Sequence, residues 1–134
     1  MVLQNRIRRW QWLSALIIAA VFVSTAAAQS IIVTEAENGT TINIAEGDLL
    51  VVTLESNPST GFEWQVTKDD VAMLKPSGPP EFHPDVFWMT GTIGHQVFKF
   101  RAISSGTGTI ELQYRALDRS GARAKTFSVI IAIK

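Results

Sequence analysis

No cysteine occurs anywhere in the 134 residues. Disulfide staples, a lipid-bearing N-terminal cysteine, a cysteine nucleophile and zinc–thiolate sites are therefore excluded. Histidine is nearly as scarce. His83 and His95 stand alone, and His83-Pro84-Asp85 lacks the ligand spacing of a zinc site. No nucleophile-elbow G-x-S-x-G, no Gly-Lys-Ser/Thr phosphate loop and no paired-carboxylate pattern of a glycosidase is found. Long helical periodicity, internal repeats and low-complexity tracts are missing too. These absences predict a non-enzyme with no metal and no cofactor.

What is there begins with an address. Arg6, Arg8 and Arg9 precede an apolar run from Leu13 to Val23, and small residues Ser24 to Ala28 follow. That is the layout of a secretory signal, with an A-x-A pattern at Ala26 and Ala28 and cleavage expected after Ala28. Residues 1–28 are read as a signal peptide and 29–134 as one domain of a secreted or periplasmic protein. The run is short for a membrane span, so no membrane association is expected after removal of the signal. The whole chain carries 12 basic and 12 acidic groups, and three of the arginines lie in the signal. The remainder has a net charge of −3 (9 − 12), which disfavours nucleic acid and anionic membranes as partners. A monomer is expected.

Past residue 29 the chain reads as short strands. Ile31–Thr34, Thr41–Ala45, Leu49–Leu54 and Phe62–Thr67 are β-branched or aromatic and are broken by Gly, Asn and Asp. Later segments alternate cleanly. Phe98, Phe100 and Ala102 oppose Lys99 and Arg101; Ile110, Leu112 and Tyr114 oppose Glu111, Gln113 and Arg115. Phe127, Val129, Ile131 and Ile133 continue the pattern. Period two with one apolar face predicts half-buried strands of an all-β, immunoglobulin-like sandwich. A short helical turn fits Asp69–Leu74.

Three connections stand out: Asn57–Gly61, the Pro- and Gly-rich stretch Pro76–His95, and Ala116–Ala124 with its Asp118-Arg119-Ser120-Gly121 turn signal. The first has the most restricted chemistry. Pro58 fixes φ near −65° and pushes Asn57 toward extended geometry. Asn57 is suited to bond its own backbone two residues on, and Gly61 to take a positive φ. The product is a stiff tip bearing the hydroxyls of Ser59 and Thr60. Taken alone, it is a well-made turn.

The run Asn57-Pro58-Ser59-Thr60-Gly61-Phe62-Glu63-Trp64 closely resembles the N-P-[ST]-T-G-[FY]-x-W signature of the chagasin family of cysteine-protease inhibitors. The resemblance continues through Gly91-Thr92-Ile93-Gly94 and its following strand, and through Gly106–Arg115, which ends in Tyr-Arg. It implies a sandwich that blocks papain-like proteases with three loops at one end: 56–61, 90–95 and 115–124. By that likeness Asn57, Pro58, Ser59, Thr60, Gly61 and Phe62 form the central wedge. Gly91, Thr92, Ile93 and Gly94 form the second contact, and Arg115, Ala116 and Leu117 the third. The implied mechanism is occlusion of the cleft by a preorganised loop.

Two departures stand out. The family's second loop usually reads G-x-G-G, where this chain has Ile93. Its third usually carries Arg-Pro-Trp, where this chain has Arg115-Ala116-Leu117. Weaker or differently targeted inhibition is expected. The rival reading is an envelope or adhesion module on the same scaffold without inhibitory activity. Trp64 reads as a core residue, and Phe87-Trp88-Met89 as the apolar anchor of a long loop. The basic group Arg115, Arg119, Arg123 and Lys125 reads as a solvated loop face.

Overall fold

Alternation becomes two layers. In the computed structural model, which describes residues 20–21, 27–70 and 72–134, nine strands form two sheets. The strands are β1 (Ser30–Val33), β2 (Thr41–Ile44), β3 (Leu49–Ser56), β4 (Phe62–Lys68), β5 (Leu74–Pro76), β6 (Glu81–Pro84), β7 (Gly94–Ala102), β8 (Gly106–Ala116) and β9 (Arg123–Ile133). One sheet runs β1-β3-β7-β5 with β6 also against β7; the other runs β2-β9-β8-β4. Besides strands, the described residues hold only two single 3-10 turns, Glu35–Glu37 and Pro58–Thr60. The fold is an immunoglobulin-like β-sandwich. Most of the expected signal peptide lies outside the described residues.

Every second residue of the long strands points between the sheets. Leu50, Val52 and Leu54 from β3 meet Phe98 and Phe100 from β7 on one face. Trp64, Ile110, Leu112, Tyr114, Phe127, Val129 and Ile131 close the other. Burial of side chains this large contributes about 1.5–3 kcal/mol each relative to exposure. With no cysteine in the chain, this core carries the stability that a disulfide often supplies in exported domains.

One connection did not match its reading as a loop. Pro76–His95 contains β6 and the end of β5, both short edge strands laid along the outer side of β7. Their exposed residues show no alternation, and Pro76 and Pro84 sit at edge positions that need no donor. Around Asp70 the chain makes a turn in which the Asp70 carbonyl accepts from Met73 and Leu74 N–H.

One side chain ties the layers. Buried Gln96, on β7, accepts from Trp64 N–H at 2.9 Å and donates to the Trp64 carbonyl at 2.9 Å. Trp64 pairs with Tyr114 in register but points its backbone groups away from β8, so Gln96 fills the role of a missing neighbouring strand.

Candidate functional site

Topology places three loops together. The Asn57–Gly61 segment leaves β3 in one sheet and enters β4 in the other. Its incoming stem pairs with the strand that leaves the second loop, Ser56 opposite Gly94. Its outgoing stem pairs with the strand that enters the third, Phe62 opposite Ala116. The first loop is therefore central by construction.

That loop is held from within. Asn57 has extended φ and ψ of −130° and 91°, and its side chain accepts from Ser59 N–H at 3.2 Å. Pro58 opens the 3-10 turn, and Gly61 closes it at φ 77°, in the left-handed region where glycine carries no Cβ penalty. The Asn57 carbonyl accepts from Thr60 N–H at 3.1 Å and from the Thr60 hydroxyl at 2.7 Å. Ser59 donates its hydroxyl to the Asn57 side chain. Both hydroxyl protons are thus spent inside the turn, leaving lone pairs outward. A turn so closed does not present the extended peptide that a protease cleaves.

Tyr114 fixes the base of the turn. Its phenol oxygen accepts from Asn57 N–H at 3.0 Å, while its ring lies between Phe62 and Trp64 at 5.6 and 5.2 Å. Trp64 is 3% exposed and donates its indole N–H to the Glu55 carbonyl at 2.9 Å. The core reading of Trp64 holds. Tyr114 was read as packing alone; no local pattern announces a phenol that reaches across to the other sheet.

The second loop leans on the first. The Ser59 hydroxyl oxygen, its proton given to Asn57, lies 3.5 Å from the Gly91 carbonyl, and a Cβ on Gly91 would sit 3.6 Å from that of Ser59. Thr92 is half-buried with its hydroxyl turned inward, and Ile93 is exposed. Gly94 is buried in β7, where an added Cβ would lie 2.4 Å from the His83 carbonyl. It allows β6 to approach at the base of the loop. Asp85 N–H donates to the Ile93 carbonyl at 3.1 Å, and the Asp85 carboxylate meets His95 at 3.1 Å. The core-anchor reading of Phe87, Trp88 and Met89 is overturned: they are 83%, 74% and 58% exposed.

The third loop is tied to the first from the other flank. Leu117 N–H donates to the Gly61 carbonyl at 2.8 Å. Ala116 is buried at the end of β8, and its N–H donates to the Ala122 carbonyl at 2.8 Å, a bond that proline could not make. Arg115 is half-buried, with Nε donating to the Gly121 carbonyl at 3.3 Å. Leu117 is 56% exposed. The Ser120 hydroxyl and then the Ser120 N–H hold the Asp118 carboxyl below its usual pKa, stiffening the tip.

Comparison with known proteins meets this geometry. Residues 43–131 match the model of the chagasin family peptidase inhibitor I42. The chain belongs to the chagasin family. Amoebiasin-2 of Entamoeba histolytica is 31% identical over 105 residues, covering 75% of this chain and 84% of that one. Chagasin of Trypanosoma cruzi is 32% identical over 85 residues, covering 61% and 77%. The crystal structure of a cysteine protease inhibitor from Entamoeba histolytica superposes with TM-score 0.69 at 23% identity, over 81% of this chain and 99% of that one. Chagasin-family proteins are peptidase inhibitors, so this chain is an inhibitor and not an enzyme. Among the described residues, no group of three or more His, Cys, Asp or Glu could hold a metal ion.

Proposed function

We propose that this chain is exported and inhibits papain-like cysteine proteases by filling their catalytic cleft. The observation that carries the reading is the double fastening of the wedge. Gly61 is bonded to Leu117 and Ser59 lies against Gly91, so three loops from two sheets act as one surface. Little ordering cost remains to be met at binding. Pro58, Ser59, Thr60 and Gly61 are exposed at its centre and enter the cleft. Gly91 and Leu117 make the flanking contacts, while Phe62, Gly94 and Ala116 support them from below. The chain acts as a monomer after loss of residues 1–28.

Titration against a panel of papain-like proteases tests the inhibition. Substitution of Thr60 and Gly61 should abolish it while the fold persists. A wild-type domain that inhibits none of the panel would sink the reading. Mass measurement of the protein recovered from an exporting host tests the processing, with Gln29 expected as its first residue.

A further inference from the structure

The second loop carries more than its glycines. Phe87 and Trp88 meet edge to face, with ring centroids 4.9 Å apart and planes at 84°. They pack on each other and stand clear of the core. A contiguous apolar surface of this kind, without a role in folding, marks an interaction site. The loop that bears it is not loose. Met89 N–H bonds the Val86 carbonyl at 3.3 Å, and the Asp85–Ile93 and Asp85–His95 contacts clamp its base.

Position assigns the partner. Met89, next in sequence, lines a concavity of about 450 Å³ together with Pro58 and Ser59 of the wedge and Phe82. The aromatic pair thus directly precedes, along the chain, a residue that lines the flank of the surface proposed to enter the protease. On the opposite flank Leu117 is the exposed apolar contact, and Phe82 in the concavity is only 39% exposed, so the most exposed aromatic surface among the described residues is Phe87 and Trp88, in the segment that leads into the second loop. Tryptophan is the residue most enriched among side chains that dominate binding energy.

We propose that Trp88, seated against Phe87, is the specificity-determining anchor of this inhibitor. It docks on an apolar wall of the protease beside the catalytic cleft. The inference rests on the inhibitory reading above. It makes target choice a property of residues 87–89: proteases with an apolar wall there are bound tightly, and those with a charged wall are not.

The test compares the wild-type chain with Trp88→Ala and Trp88→Phe against one papain-like protease that the wild type inhibits. Trp88→Ala should raise the inhibition constant roughly 30-fold, mostly through faster dissociation. Trp88→Phe should recover most of that loss. Melting temperatures should agree within about 3 °C, since the side chain is exposed. An unchanged inhibition constant for Trp88→Ala, with wild-type inhibition intact, overturns this proposal alone. A wild type that inhibits no protease in the panel overturns the functional reading and this proposal with it. A wild-type dimer that Trp88→Ala dissociates, with inhibition unmoved, assigns the patch to a second copy of the chain and also overturns it.

Discussion

The phenol of Tyr114, on one sheet, accepts the N–H of Asn57 at the end of the other, at 3.0 Å. The base of the wedge is thereby held by the layer it is about to enter. Tyr114→Phe keeps the ring among Phe62 and Trp64 and removes this anchor together with the long 3.4 Å bond from the hydroxyl to the Asn57 carbonyl. The expected loss is about 1 kcal/mol in urea denaturation. A rise of roughly fivefold in the inhibition constant should accompany it.

Gly61 gives a second, sharper handle. An added Cβ meets nothing within 4 Å, so Gly61→Ala acts through its φ of 77° alone. The strain expected is about 1–2 kcal/mol. It falls on the turn itself, where relaxation breaks the bond from Leu117 N–H. Inhibition should weaken about tenfold or more, while thermal melting stays cooperative.

Gln96→Leu leaves Trp64 N–H and its carbonyl unpaired inside the sandwich. The cost expected is about 3 kcal/mol, read from the denaturation midpoint. Gln96→Glu leaves the N–H satisfied and loses the donor to the carbonyl, and it should be destabilising as well.

The third loop yields a gain of function. Leu117→Trp adds an aromatic surface beside Gly61 without disturbing the backbone bond that Leu117 makes there. The inhibition constant should fall by roughly tenfold. Ala116→Pro should not help, because it deletes the bond to Ala122 that closes the loop.

Acid sensitivity is expected at Asp48. The N–H of Gln29 and then that of Ala45 hold its carboxyl below the ordinary aspartate value of 3.8. A carboxylate depressed by folding stabilises the fold above its unfolded pKa, and that support vanishes as pH falls through the folded value. The melting temperature of Asp48→Asn should therefore lie furthest below wild type near pH 7. The gap should narrow below pH 3.8.

Much of this was legible in the sequence. Alternation in β7, β8 and β9 is a local signal, and it named the buried face of each strand. Asn57, Pro58 and Gly61 each constrain their own backbone, so the wedge was readable residue by residue. The rest depends on distant partners. β5 and β6 follow no period because, apart from buried Leu74, their residues are exposed at an edge; the proline content that signals a loop also suits such an edge. Phe87–Met89 read as an anchor because apolar residues usually are one, and only their exposure in the fold shows otherwise. The burial of Gly94 under β6 and the bond from Ala116 to Ala122 likewise depend on distant segments that no local pattern announces.

The amide of Gln96 has an outward consequence. Strand β4 ends its sheet, and a free edge is a template on which a second chain can add a strand. At Trp64 both backbone groups are already taken by the Gln96 side chain. The edge is closed at that point to pairing between molecules. A domain without disulfides gains from this a guard against joining its neighbours edge to edge at high concentration.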